Sequence, residues 1–175
     1  MIMPIILFII IFIVFMSVSK RKDFNPKLFF LHLLSIVTLY VSAGSLITML
    51  FQVINVYFPD VASPDYYYTI ENTYQILRTA ISFLLVMLPV YLGTLFVLGK
   101  IYSKEESARQ QPTRKWLVYL TLFVGALTIL FTLVSVFNTF LDGEMTVRFL
   151  LKVLSIIFVA GSIIAYYGYD LKRFK

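Results

Sequence analysis

Apolar runs separated by short polar connections make up almost the whole of this 175-residue chain, and there are five of them. A helix rises about 1.5 Å per residue, so roughly 20 apolar residues cross the ~30 Å hydrocarbon core of a bilayer. The runs are Met1 to Ser19, about Leu28 to Phe58, about Tyr74 to Leu98, Trp116 to Leu141 and about Phe149 to Tyr169. They predict an all-α membrane protein, a five-helix transmembrane bundle. Met1 to Ser19 reads as an N-terminal transmembrane anchor, and residues 26–175 as a four-helix transmembrane domain. Pro59-Asp60 ends the second run and Asp142-Gly143 the fourth. The second run exceeds what a span needs, so its helix is expected to tilt or to project from the membrane. Pro89, inside the third, predicts a kink.

Polar positions inside the runs add a second pattern. The second run carries Ser35, Thr38, Ser42, Ser45, Thr48, Gln52 and Asn55 at steps of three or four, on one slowly drifting face. In the fourth, Thr121, Gly125, Thr128, Thr132, Ser135 and Thr139 form a small-residue seam with coiled-coil spacing, flanked by Asn138. Gly161 and Ala165 make a small-xxx-small pair in the fifth. Lipid offers no hydrogen bonds, so these faces are expected to meet other helices. The first reading is helix packing. The alternative is a polar groove for a ligand or ion. The first run has no such face and is expected at the periphery or against a partner chain.

Charge supplies the orientation. Lys20, Arg21, Lys22 and Lys27 lie in the first connection, Lys100, Lys104, Arg109, Arg114 and Lys115 in the third, and Lys172, Arg173 and Lys175 in the tail. Five spans place these three regions on one side, which the positive-inside rule makes cytoplasmic. The N-terminus is then outside and the C-terminus cytoplasmic. Asp60, Asp65, Glu71, Asp142 and Glu144 fall on the other side. Trp116, Tyr119, Tyr166, Tyr167 and Tyr169 mark one interface, and Tyr57 and Phe58 the other, as amphipathic rings do. Lys20-Arg21-Lys22 follows the first run rather than preceding it, the reverse of a signal peptide, so an uncleaved anchor is expected.

Composition narrows the function classes. Hydrophobic residues are 60% and charged residues 14%, and the longest polar stretch is about fifteen residues, which leaves no room for a soluble catalytic domain. The net charge of +6 flanks the spans, where anionic headgroups rather than nucleic acid meet it. With no Cys, thiolate chemistry and Cys-based metal sites are excluded. His32 lacks companion ligands in sequence and reads as interfacial. No phosphate loop, HExxH motif, nucleophile elbow or intramembrane carboxylate pair is present, so no catalytic residue, metal or cofactor is assigned.

The candidate binding residues are Arg78, Arg148 and Lys152, ionisable groups near the outer ends of spans, joined by Gln52 and Asn55. Snorkelling and salt bridges to the outer carboxylates are the plain reading of the three cations. An outward-facing anion or headgroup site is the sharper one.

Longer stretches carry a family likeness. Leu31-His32-Leu33-Leu34-Ser35-Ile36-Val37-Thr38-Leu39-Tyr40-Val41-Ser42-Ala43 resembles the opening of a bacterial membrane family, the domain of unknown function 5671. The similarity continues through Leu50 to Asn55, Phe58-Pro59-Asp60, Lys115 to Val124 and Phe149 to Leu154, covering about residue 26 to the C-terminus. The resemblance implies four membrane helices in a bacterial plasma (inner) membrane, with Met1 to Ser19 as an addition, and brings no site residues with it. Two functions are expected from the whole: a non-enzymatic structural or partner-binding subunit of a membrane complex, or a small oligomeric transporter or channel for an ion, anion or lipid-like ligand. The lipid bilayer and a membrane-protein partner or second copy are the expected partners.

Overall fold

A computed structural model describes residues 25–58, 66–104, 112–143 and 145–173. They form four α-helices: α1 (Pro26–Tyr57), α2 (Tyr66–Lys104), α3 (Pro112–Leu141) and α4 (Val147–Arg173). All four are long and apolar enough to cross a membrane, over Pro26–Tyr57, Glu71–Lys104, Arg114–Leu141 and Val147–Leu171. This is a multi-pass membrane protein with four candidate spans in the described chain, against the five expected. The Met1 to Ser19 run lies outside the described residues.

Local sequence fixes the helix ends. The Asn25 side chain accepts from the backbone N–H of Lys27 at 3.1 Å and of Leu28 at 3.4 Å, and Pro26 follows where its missing N–H costs nothing. Thr146 caps α4, its Oγ1 accepting from Phe149 N at 3.2 Å. Between α3 and α4 the chain reverses at Gly143, whose φ of 72° is open to glycine without a Cβ penalty. At 39 residues α2 is the longest helix, about 58 Å at 1.5 Å per residue, and it runs unbroken through Pro89. It starts eight residues before the predicted third run, so the Tyr66-Tyr67-Tyr68 sequence opens a helix rather than filling a loop.

Packing is organised around α1, which touches α2 along most of its length and also meets α4 and α3; α3 and α4 form a second hairpin. The polar face of α1 turns inward: Ser35, Thr38, Ser42 and Ser45 are all buried. Thr38 satisfies itself by donating to Leu34 O at 2.7 Å. One core cluster takes a side chain from each helix, Leu39, Tyr91, Val118 and Tyr167, and a second joins Leu28 to Leu98.

The α3 seam closes over part of its length. Thr121 is 1% exposed and Thr132 is buried, with Gly125 and Thr128 half-buried between them. At Gly125 the helices approach closely: a Cβ there would lie 2.8 Å from Ile164 Cγ1 on α4. Toward the far end Ser135 is exposed and bonds its own helix at Phe131 O. Gly161 and Ala165 lie beside the α4 contact face rather than on it. The contact face runs through Val153, Ala160, Ile164 and Tyr167, and one further residue turns a side chain by about 100°. A Cβ at Gly161 would meet nothing, and Ala165 is exposed.

Candidate functional site

Chemistry-bearing side chains in this bundle gather at the end that holds Lys27, Lys100, Lys104 and Lys115, the basic end. α1 begins there with His32 on its second turn, α2 ends there with Tyr102, α3 begins with Arg114 and α4 ends with Asp170. His32 is 6% exposed, buried where it was expected to be interfacial, and its Nε2 lies 3.0 Å from the Tyr102 hydroxyl. Arg114 and Asp170 form an ion pair, with side chains 14% and 25% exposed. The Arg114 guanidinium sits 5.3 Å from the centre of the Tyr102 ring, within cation–π range.

A cavity of about 200 Å³ opens between these groups. Its polar wall is His32, Ser35, Tyr102, Arg114, Tyr166 and Asp170, and its apolar wall includes Ile36, Leu98 and Leu117. Val118 and Tyr167 also line it, and with Leu39 and Tyr91 they form a plug of side chains from all four helices, in which the Tyr91 and Tyr167 hydroxyls lie 3.4 Å apart. Beyond that plug, a groove of about 530 Å³ runs between α1 and α2. Tyr40, Ser45, Thr48, Asn72, Gln75 and Thr79 give it polar walls, and no lining residue belongs to both cavities. At the boundary Tyr40 reaches Thr121, hydroxyl to hydroxyl, at 3.4 Å.

The residues proposed from sequence are spread out. Gln52 and Asn55 are half-buried on α1 and bond each other, Asn55 Nδ2 donating to Gln52 Oε1 at 2.9 Å. Lys152, half-buried on α4, holds its ammonium 5.6 Å from the Phe51 ring, which places it beside the same part of α1. Arg148 is half-buried one turn earlier. Arg78 is exposed on α2, and among the described residues no hydrogen bond or ring contact links it to Arg148 or Lys152. Of the carboxylates expected to pair with these cations, Asp60, Asp65 and Glu144 lie outside the described residues, and Glu71 and Asp142 are exposed, with no ion pair to Arg78, Arg148 or Lys152 among the described residues. Arg78→Gln is therefore expected to change stability by less than about 0.5 kcal/mol, as exposed substitutions do. Reversible unfolding in mixed micelles measures it, and a loss above about 2 kcal/mol would tie Arg78 into a buried network.

The family model for the domain of unknown function DUF5671 matches residues 29–167, from the first turn of α1 to near the end of α4. The chain belongs to the DUF5671 family. No curated protein and no solved structure matches it. The DUF5671 match takes in the plug and most of the basic-end cavity, and Asp170 stands just past it. Sequence reasoning had placed Arg114 in a solvated connection and Asp170 in a tail. One signal was available. The spans of α3 and α4 are 28 and 25 residues long on either side of a tight reversal, so an antiparallel hairpin brings their far ends level.

Proposed function

We propose that this chain is a non-enzymatic subunit of a complex in a bacterial plasma membrane, and that the α1–α2 groove receives a helix of a partner or of a second copy. The groove carries the reading. Within a bilayer, walls bearing Ser45, Thr48 and Thr79 gain nothing from acyl chains, whereas a polar side chain from a neighbouring helix bonds them. A benzophenone amino acid at Thr79, photolysed in native membranes, tests this. A single protein adduct of defined mass is expected, and adducts with lipid alone would overturn the proposal.

The orientation proposed is N-terminus outside and C-terminus cytoplasmic, supported by the clustering of Lys27, Lys100, Lys104 and Lys115 at one end. The chain has no Cys, so single-cysteine variants label without background. Tyr57→Cys is expected to react with an impermeant maleimide on intact cells, and Lys104→Cys only after lysis. The opposite pattern inverts the topology.

A second reading, transport by a small oligomer, draws support from a polar-walled cavity at the basic end and a polar-walled groove further along the same α1–α2 pair. Flux into liposomes separates the two. The subunit reading expects none, and solute uptake that changes with Gln52 or Arg78 would favour transport.

A further inference from the structure

The basic-end cavity has a charge arrangement that the partner-binding reading leaves unused. Its cation and its anion are already in contact, so the walls carry no net charge from that pair. A simple anion gains the guanidinium only by meeting the Asp170 carboxylate, and a simple cation meets the reverse conflict. A ligand bearing both signs a few ångströms apart faces neither, because phosphate beside Arg114 and ammonium beside Asp170 are each favourable. The ring of Tyr166 lines the same space and suits an ammonium group, while the Tyr102 ring already carries the Arg114 guanidinium. A pair serving only to pin two helices has no need of an open, polar-walled volume beside it.

Depth points the same way. Arg114 opens its span, and Asp170 stands one residue before the end of the α4 span. Arg114 and Asp170 are thus level with lipid headgroups, while Ile36, Leu98 and Leu117 line the cavity on its apolar side. A volume of about 200 Å³ suits a headgroup and not a whole lipid.

We propose that this cavity binds a zwitterionic phosphate–amine headgroup, its phosphate on Arg114 and its ammonium against Asp170, with Tyr102 and Tyr166 alongside. The site lies across the plug from the α1–α2 groove and does not depend on what occupies that groove.

The test offers the purified chain mixed micelles with equal amounts of dioleoyl-phosphatidylethanolamine and dioleoyl-phosphatidylglycerol, and reads retained lipid by native mass spectrometry. The wild-type chain is expected to retain the ethanolamine lipid about tenfold over the glycerol lipid, the discrimination of one charge-assisted contact. Asp170→Asn removes the ammonium partner while keeping an acceptor oxygen, and is expected to abolish or reverse that preference. Equal retention by the wild-type chain, or an unchanged preference in Asp170→Asn, overturns the proposal.

Thermal shifts of the wild-type chain require no variant to fold. Soluble glycerophosphoethanolamine that raises the melting temperature assigns the site to a headgroup recognised without its chains. No shift alongside a clear lipid preference assigns it to the membrane lipid. An equal shift from inorganic phosphate shows that the amine is irrelevant and overturns the proposal.

Discussion

Leucine in place of Gly125 is expected to destabilise the bundle by about 3 kcal/mol, at the upper end for an overpacked interior. Lipid tails are as apolar as the helices, so α3 and α4 stay together through close packing rather than through exclusion from water. Gly125 is a point where that packing leaves no room for a Cβ. Even an alanine Cβ would lie 2.8 Å from Ile164 Cγ1 and 3.1 Å from Cδ1. Alanine is accommodated when Ile164 changes rotamer, at about 1 kcal/mol. The branched end of leucine has no such outlet and forces the helices apart. The double variant Gly125→Leu with Ile164→Ala is expected to recover most of the loss. Unfolding in mixed micelles checks all three variants. If Gly125→Leu unfolds like the wild type, the α3–α4 contact is looser than described.

Tyr167→Ala is expected to cost as much or more, about 3–5 kcal/mol as for other large aromatic truncations in cores. The ring is 7% exposed and meets Leu39, Tyr91 and Val118, so its removal leaves a void where all four helices converge. Tyr167→Phe keeps the ring and loses the hydroxyl contact with Tyr91, and is expected to cost about 1 kcal/mol. The difference between the two measures packing against hydrogen bonding at one position. Tyr167→Ala also removes a side chain that lines the basic-end cavity. A solute leak in liposomes seen with Tyr167→Ala and not with Tyr167→Phe would show that the plug is a seal as well as a core.

Periodicity and charge made the spans readable. Runs of Ile, Leu, Phe and Val leave no other stable backbone in lipid, and the described helices match four of the predicted runs with shifted ends. The inward face of α1 was also legible, because Ser35, Thr38, Ser42 and Ser45 recur at helical spacing and polar groups avoid acyl chains. Finer rotation was not. Gly161 and Ala165 have the spacing of a contact motif, yet they stand one position off the face that meets α3. Small residues pack well wherever a neighbour happens to lie, and the sequence does not say where it lies. The basic-end cavity was less visible still, since His32, Tyr102, Arg114 and Asp170 come from four separate segments. Each taken alone looks like an ordinary interfacial residue. Arg78, Arg148 and Lys152 are conspicuous as charge inside apolar runs, yet only Arg148 and Lys152, one turn apart on α4, share a face, and no contact joins Arg78 to them among the described residues.

The central place of α1 bears on how the protein is made. Among the described helices it is the first to be synthesised and packs against each of the other three. Chains assemble from the N-terminus as they emerge, at about 5–20 residues per second. The hub therefore enters the membrane before the other three described helices, which all dock on it. α3 and α4 follow, joined by the Gly143 reversal. Order of synthesis and order of assembly coincide, so no completed pair has to be taken apart to admit a later helix.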